Sequence, residues 1–203
     1  AVGVERLAKR KGVVRRLLAA ETLGSTTLIL TDKTGTLTQA KMELVSALAY
    51  GAEDSAGERK LIEQALLNID VIVENPDDDP SQWHLIGGAL EAAFVMGAAK
   101  RGIIYPILVK EMRIIDRRPF SSDYKFSASI SLAGDKRRTV LLGAPEVLIE
   151  FTTLPDEEKS RIKNEIGHRA ISGERLLGLI SKSDHTSIDS IHHQKSFSGF
   201  EFQ

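Results

Sequence analysis

Apolar and polar residues follow one another along the chain with two different periods, which separate helices from strands. Apolar residues recur three and four positions apart over 59–74 and 89–100, and this spacing predicts two helices. Period-two alternation with β-branched residues predicts strands over 126–133 and 138–142. Gly134-Asp135 lies between these two strands and predicts a hairpin turn.

Shorter patterns complete the prediction of an α+β fold. Helix pairs followed by runs of strands predict an antiparallel sheet flanked by helices. The remaining helices are predicted over 4–11, 144–151 and 155–171, and the remaining strands over 26–31, 41–50, 107–117, 174–181 and 197–202.

Length and composition are those of one large domain, or of one domain with part of another. The chain has 203 residues, of which 42% are hydrophobic, and a formal net charge of −1. This balanced charge carries no nucleic-acid-binding signal, so no nucleic-acid partner is predicted. No apolar run approaches the roughly 18 residues of a membrane-spanning helix. The chain has no starting Met, and we interpret it as an excised portion of a larger protein.

Three clusters of charged or metal-binding side chains stand out. The basic cluster either lies beside a membrane span or forms a solvated helix face. The acidic triplet lies between prolines and indicates a solvated loop rather than a metal site. The histidine pair indicates an exposed pair, because no third metal ligand is in sight and there is no Cys. The basic cluster consists of Arg6, Lys9, Arg10, Lys11, Arg15 and Arg16, the acidic triplet of Asp77 to Asp79, and the histidine pair of His192 and His193.

A carboxylate follows directly after a short β-branched run, TTLILT at 26–31. The heptapeptide DKTGTLT at 32–38 begins with this residue, Asp32. Ligands of open α/β sheets bind at the C-terminal ends of strands, where such a carboxylate can act as a nucleophile and accept a phosphoryl group. The alternative interpretation is a polar turn after a strand.

The heptapeptide resembles the phosphorylation signature of the P-type ATPases, cation pumps that pass through an aspartyl-phosphate. The resemblance implies that Asp32 attacks the γ-phosphorus of ATP, and that the Asp32 carboxylate and the Thr34 backbone carbonyl hold Mg²⁺. Lys33 adds positive charge beside the nucleophile. Related phosphatases of the haloacid-dehalogenase superfamily have a second Asp where this chain has Thr34. Because Thr34 is not basic enough to activate water at neutral pH, the phosphoenzyme is expected to persist, as a pump requires.

Residues 119–127, PFSSDYKFS, resemble the PFxSxxKxMS segment of the nucleotide-binding domain in the same family. The resemblance implies that Phe120 stacks on adenine and that Lys125 meets the base or the phosphates, with Ser122 in the same segment. Stacking of an aromatic side chain on a base contributes about 1–3 kcal/mol in nucleic-acid binders. The alternative is a core Phe and a Lys at the edge of a strand.

Residues 142–146, LGAPE, resemble the family's KGAPE turn beneath the nucleotide. Gly143 is expected to let the base approach the backbone. Leu142 replaces the family's Lys, so it keeps apolar contact with adenine but removes a cation near the phosphates.

Two further segments resemble parts of the nucleotide pocket. Residues 87–94, GGALEAAF, partly match GDPTExAL, with Glu91 placed to accept from the adenine amino group. Residues 173–177, GERLL, place Arg175 where the family contacts phosphates, and Arg makes bidentate contacts that Lys cannot. The alternatives are a Glu on a helix surface and an exposed Arg.

The resemblance implies a division into a membrane-proximal linker with the first part of a phosphorylation domain over 1–40 and a nucleotide-binding domain over 41–203. The family's later TGD and GDGxNDxxxL segments do not occur here. We therefore expect the chain alone to bind ATP without turnover. The implied parent is a multi-pass membrane pump of the calcium-transporting type with this portion in the cytoplasm, and its other partners are the transported cation and the remaining phosphorylation, actuator and membrane domains. The alternatives are a soluble phosphatase of the haloacid-dehalogenase type and a degenerate, non-catalytic regulatory domain.

Overall fold

A computed structural model describes residues 2–13, 24–39, 41–51, 54–133, 136–183 and 197–203. The chain forms two compact units, Ala1–Lys41 and Met42–Gln203. Several sequence predictions lie outside the described residues, namely those on Arg15, Arg16, Gly134, Asp135, His192 and His193. None of the helices in the described part is long and apolar enough to cross a membrane.

The described part of the smaller unit contains helix α1, Val2–Lys9, and no strand. The helix ends with Lys11 in the left-handed region (φ 63°) and a bond from Gly12 N to Leu7 O. The strand predicted over 26–31 is absent, and Leu28, Ile29 and Leu30 are 73%, 75% and 89% exposed. A strand needs neighbouring strands to pair its backbone groups, and the described part of this unit provides none.

The larger unit is built on a five-stranded antiparallel sheet, which confirms the predicted α+β class. A separate pair of short strands, β1 (Ile72–Val73) and β2 (Leu85–Ile86), lies outside this sheet. The sheet has the strand order β3-β4-β5-β6-β7, and its strands are Arg113–Arg118, Phe126–Ala133, Lys136–Gly143, Gly178–Ser183 and Glu201–Phe202.

Five helices accompany the sheet in the part of the larger unit that the structure describes. The three that precede β3 cover one face, and α5 packs on the other face together with the 3₁₀ turn Ile149–Phe151. Helix α6 is largely solvated and has no buried residue. The helices are α2 (Ser55–Leu66), α3 (Ala89–Ala99), α4 (Tyr105–Glu111), α5 (Pro145–Leu148) and α6 (Asp156–Ile171).

Each face of the sheet has its own hydrophobic cluster, because alternate residues of every strand point to opposite faces. On the face covered by α2, α3 and α4, Val140, Leu142 and Leu179 join the helix residues. On the other face, Phe126, Ile130, Leu141 and Ile180 pack with aromatic residues from the following segments.

Several predicted elements have other bounds in the structure. Helix α2 ends at Leu66 rather than 74, because the β-branched residues that follow form β1. The predicted strand over 107–117 begins only at Arg113, because Pro106 occupies the first turn of α4. The predicted strand over 174–181 begins only at Gly178.

The predicted strand over 41–50 is also absent, and one arginine replaces a neighbouring strand. The Arg101 guanidinium donates from Nη1 to Leu44 O (3.4 Å) and from Nη2 to Val45 O (3.3 Å), and its Nε pairs with Glu58 at 3.0 Å. A further bond from Nη1 reaches Gly97 O. The extended segment is therefore attached by a side chain rather than by a strand ladder.

Removing this guanidinium should destabilise the larger unit. We expect Arg101→Met to lower the free energy of unfolding by about 1–3 kcal/mol, because several carbonyls lose a charged donor. Lys100→Met is the matched control, since Lys100 forms only an exposed ion pair with Glu43, which contributes about 0–1 kcal/mol. Urea denaturation of the two variants gives both values, and equal stabilities would contradict the role of Arg101.

Gly143 lies where β4 and β5 approach too closely for a side chain. A Cβ at this position would meet the carbonyl oxygen of Lys125 and lie 2.5 Å from the Cα of Phe126. Both obstacles are backbone atoms, which cannot move aside as a flexible side chain would.

We therefore expect Gly143→Ala to destabilise the unit by about 1–3 kcal/mol or more. Gly167→Ala is the control, because Gly167 lies inside α6 with nothing within 4 Å of its ideal Cβ. That change should stabilise by about 0.5–1 kcal/mol through helix propensity. Thermal unfolding distinguishes the two signs, and a neutral Gly143→Ala would refute the close contact.

Candidate functional site

Three chain segments meet at one end of the five-stranded sheet. Phe126 at the start of β4 pairs with Gly143 at the end of β5, and Gly143 pairs with Gly178 at the start of β6. The loop 119–125, the turn after Gly143 and the segment before Gly178 are consequently neighbours. These segments carry the predicted site residues Phe120, Ser122, Lys125, Gly143 and Arg175.

Backbone hydrogen bonds connect the loop to the turn. Lys125 N donates to Ser121 O at 2.7 Å, and Lys125 O accepts from Ala144 N at 2.9 Å. Lys125 itself has a positive φ of 65°, which is uncommon for a residue other than Gly and persists only where the surroundings hold it. The start of the Lys125 side chain is therefore fixed relative to the turn.

A cation–π contact holds the same loop from the other face of the sheet. The guanidinium carbon of Arg118 lies 3.8 Å from the ring centroid of Tyr124 and 5.1 Å from that of Phe126, and Arg118 is only 6% exposed. Sequence reasoning did not identify Arg118. The sequence offered one signal, an arginine directly before Pro119-Phe120. Its contacts with the rings of Tyr124 and Phe126 depend on how β3 and β4 pair, which the sequence does not show.

The side chains with the chemistry to bind a nucleotide are exposed at this end. Phe120 is 57% exposed, and Ser122, Lys125 and Arg175 are exposed as well. The acid next to Arg175, Glu174, pairs instead with Arg169 at 3.3 Å. An accessible aromatic ring with two nearby cationic segments can stack on a base and attract phosphate.

Gly143 and Leu142 take part in packing in this structure. The side of Gly143 where a Cβ would stand faces backbone atoms of Lys125 and Phe126 rather than open space. Leu142 is 7% exposed and packs with Val140 and Leu179, so its side chain is not presented to a ligand. Ser127, which sequence reasoning also missed, donates from its hydroxyl to Leu142 O at 3.2 Å.

Glu91 lies in the first turn of α3, where its half-buried carboxylate folds back over Gly88. The helix N-terminus favours a negative charge there. Four residues later, Val95 packs in the same cluster as Leu142. Glu91 is thus on the helix-covered side of the sheet, and its carboxylate is already turned toward its own helix end.

The predicted phosphorylation motif forms an exposed turn in the smaller unit. Asp32 accepts from Lys33 N at 2.7 Å, and Thr38 N donates to Lys33 O at 3.1 Å, closing a wide helical turn around Gly35 (φ 82°). The expectation of a carboxylate at the tip of a buried strand is wrong here, because the preceding residues form no strand. The carboxylate is nevertheless accessible to an incoming phosphoryl group.

The oxygen atoms at this turn are suited to Mg²⁺ but provide only part of a magnesium site. Mg²⁺ takes six oxygen ligands and is commonly held by one or two carboxylates together with phosphates and water. Asp32 provides one exposed carboxylate, and the Thr34 carbonyl would be a second protein oxygen. No group of three His, Asp or Glu side chains suited to a metal occurs in the described parts of the chain, including Asp77 to Asp79.

Known proteins match over most of the chain. Residues 58–199 match the family model described as "P-type ATPase, cytoplasmic domain N". A relative named cation-transporting ATPase pma1 from Synechocystis is 30% identical over 240 residues, which cover 100% of this chain and 26% of the relative.

Two relatives named calcium-transporting ATPases are 33% identical to this chain. "Calcium-transporting ATPase 1" of Lactococcus lactis covers 72% of this chain and 17% of its own length. "Calcium-transporting ATPase lmo0841" of Listeria monocytogenes covers 78% and 19%. The chain thus spans about a quarter or less of these three relatives. From the family match and these identities, we conclude that the chain belongs to the P-type cation-transporting ATPases and that its larger unit contains their cytoplasmic domain N.

Proposed function

We propose that the larger unit binds an adenine nucleotide at the sheet end formed by Phe126, Gly143 and Gly178. The register of these three residues carries the proposal, since it gathers the segments with Phe120, Lys125 and Arg175. In this role Phe120 stacks on the base, while Lys125 and Arg175 contact the phosphates. Ser122, in the same loop, contributes a hydroxyl, and Glu91 accepts from the adenine amino group once its carboxylate leaves Gly88.

In the whole pump, the bound ATP transfers its γ-phosphoryl group to Asp32. A carboxylate oxygen forms a bond to phosphorus, the bond to the β–γ bridging oxygen breaks, and ADP leaves. Asp32 and the Thr34 carbonyl would hold Mg²⁺, which when bound would neutralise charge on the phosphoryl oxygens. Lys33 adds a further positive charge, and the chain alone binds nucleotide without completing a cycle.

The names of the relatives support calcium as the transported cation of a membrane pump whose cytoplasmic part includes this chain. ATP, Mg²⁺ and the pump's phosphorylation, actuator and membrane domains are the partners in this proposal. A second candidate is a non-catalytic regulatory domain. One observation favours it, because Leu142 stands where the family has Lys and its side chain lies in the core.

Nucleotide binding distinguishes these candidates. We expect ADP to bind saturably to the 203-residue chain and Phe120→Ala to weaken it by about 1–3 kcal/mol, a factor of roughly 5 to 150 in Kd, through loss of stacking. Ile107→Ala is the control, because Ile107 is a similarly exposed apolar residue, at 53%, on α4. Calorimetry measures both, and the absence of binding to the parent chain would favour the regulatory domain.

Phosphoryl transfer can be tested in a full-length pump that contains this sequence. We expect Asp32→Asn to abolish the acid-stable phosphoenzyme formed from γ-labelled ATP, since an amide is not an effective nucleophile toward phosphorus. Asp77→Asn, an exposed loop acid, should label normally. Retained labelling of the Asp32→Asn protein would remove Asp32 from the reaction.

A further inference from the structure

Strand β4 presents serines to the helix-covered face of the sheet along its length, and the residues beside them on β5 change from apolar to charged. Ser127 pairs with Leu142, Ser129 with Val140 and Ser131 with Arg138. Ser129 is 0% exposed and Ser131 is 3% exposed. Small hydroxyl side chains therefore line β4 on this face.

Two arginines flank these serines on the same face. Arg117 of β3 pairs with Ser129, and Arg138 of β5 pairs with Ser131, so the strands on both sides of β4 contribute a guanidinium. The register is decisive, because residues paired across an antiparallel ladder point to the same face. Asp116 lies on the opposite face, since it pairs with Ile130.

Several polar atoms of these residues are buried without hydrogen-bond partners. Nε and Nη2 of Arg117, Nε of Arg138 and the hydroxyl of Ser129 have none. Neither arginine forms an ion pair with any residue that the structure describes. Buried charges are costly unless they are paired, and unpaired buried donors in a folded protein require an explanation.

We propose that Arg117, Arg138 and Ser129 form a binding site for a small oxyanion of the phosphate class. Two fixed positive charges match a dianion, and guanidinium groups bind phosphate oxygens through paired N–H donors. Both arginines are only half-buried, so their long side chains connect the cluster to solvent and can turn their N–H groups onto the anion.

This site differs from the proposed nucleotide site. At about 3.3 Å per residue, Ser129 and Ser131 lie roughly 10 and 17 Å along β4 from Phe126. The oxyanion is either free phosphate or the phosphate group of a nucleotide, and both offer the same oxygens to the arginines. The inference does not rest on the nucleotide proposal, because it uses none of the same side chains.

Titration of the 203-residue chain with inorganic phosphate, followed by NMR at constant ionic strength, tests the site. We expect saturable shifts of the Arg117, Ser129 and Arg138 amides, with chloride producing none. Arg117→Met and Arg138→Met should each weaken binding by at least about tenfold, through loss of a charge-assisted hydrogen bond. Arg113→Met is the control, because Arg113 is exposed and faces the other side through its pair with Leu132, and it should bind phosphate normally.

Stability in the absence of phosphate provides a second test that does not depend on ligand. Arg117→Met and Arg138→Met should unfold at the same or a higher urea concentration than the parent, because an apolar side chain replaces a half-buried guanidinium that forms no ion pair with the described residues. Clear destabilisation by both variants would overturn the claim that these charges lack a partner.

Phe120→Ala separates the two sources of the oxyanion. If free phosphate is the ligand, this variant binds it as the parent does. The other result is that only ATP shifts the amide resonances of Arg117 and Arg138 and that Phe120→Ala abolishes those shifts. In that case the bound phosphate group belongs to the nucleotide, and the oxyanion site is still supported. No saturable shift with phosphate or ATP, or identical shifts with chloride, would refute the site.

Discussion

The larger unit depends on the close backbone contact between the end of β5 and the start of β4. Gly143 is paired on both sides, and atoms of Lys125 and Phe126 fill the space that any side chain would need. The contact keeps three strand ends level with one another. It therefore brings together three segments that are distant in sequence, namely the loop 119–125, the turn after Gly143 and the segment before Gly178.

The side chains packed against the sheet differ between its two ends. Beneath the proposed nucleotide site, Leu142, Leu179 and the helix residues form a closely packed apolar layer, and Arg118 holds the loop from the other face through Tyr124. Close packing and the cation–π contact limit movement there, which suits side chains that must be positioned for a ligand. Farther along β4, half-buried Arg117 and Arg138 flank the serines of the same face.

The period of the apolar residues and the turn residues were sufficient to predict the strands that pair with their neighbours in sequence. Strands β4 and β5 were predicted because alternation and a two-residue connection define a hairpin without distant partners. The segments 26–31 and 41–50 have equally strand-like sequences but form no strand. A strand requires a neighbour, and for 41–50 the hydrogen bonds come from Arg101, which lies more than fifty residues away.

The sequence by itself determined the family, the α+β class and the residue types that could bind a nucleotide, because contiguous motifs and periodic patterns are local properties. Only the tertiary structure decided which of these side chains reach solvent. It left Phe120, Lys125 and Arg175 exposed, turned Glu91 back on its own helix and placed Leu142 in the core. It also made a polar cluster of Arg117, Ser129 and Arg138. The physical reason is register, since the pairing of strands assigns each side chain to a face and no local pattern contains the partner.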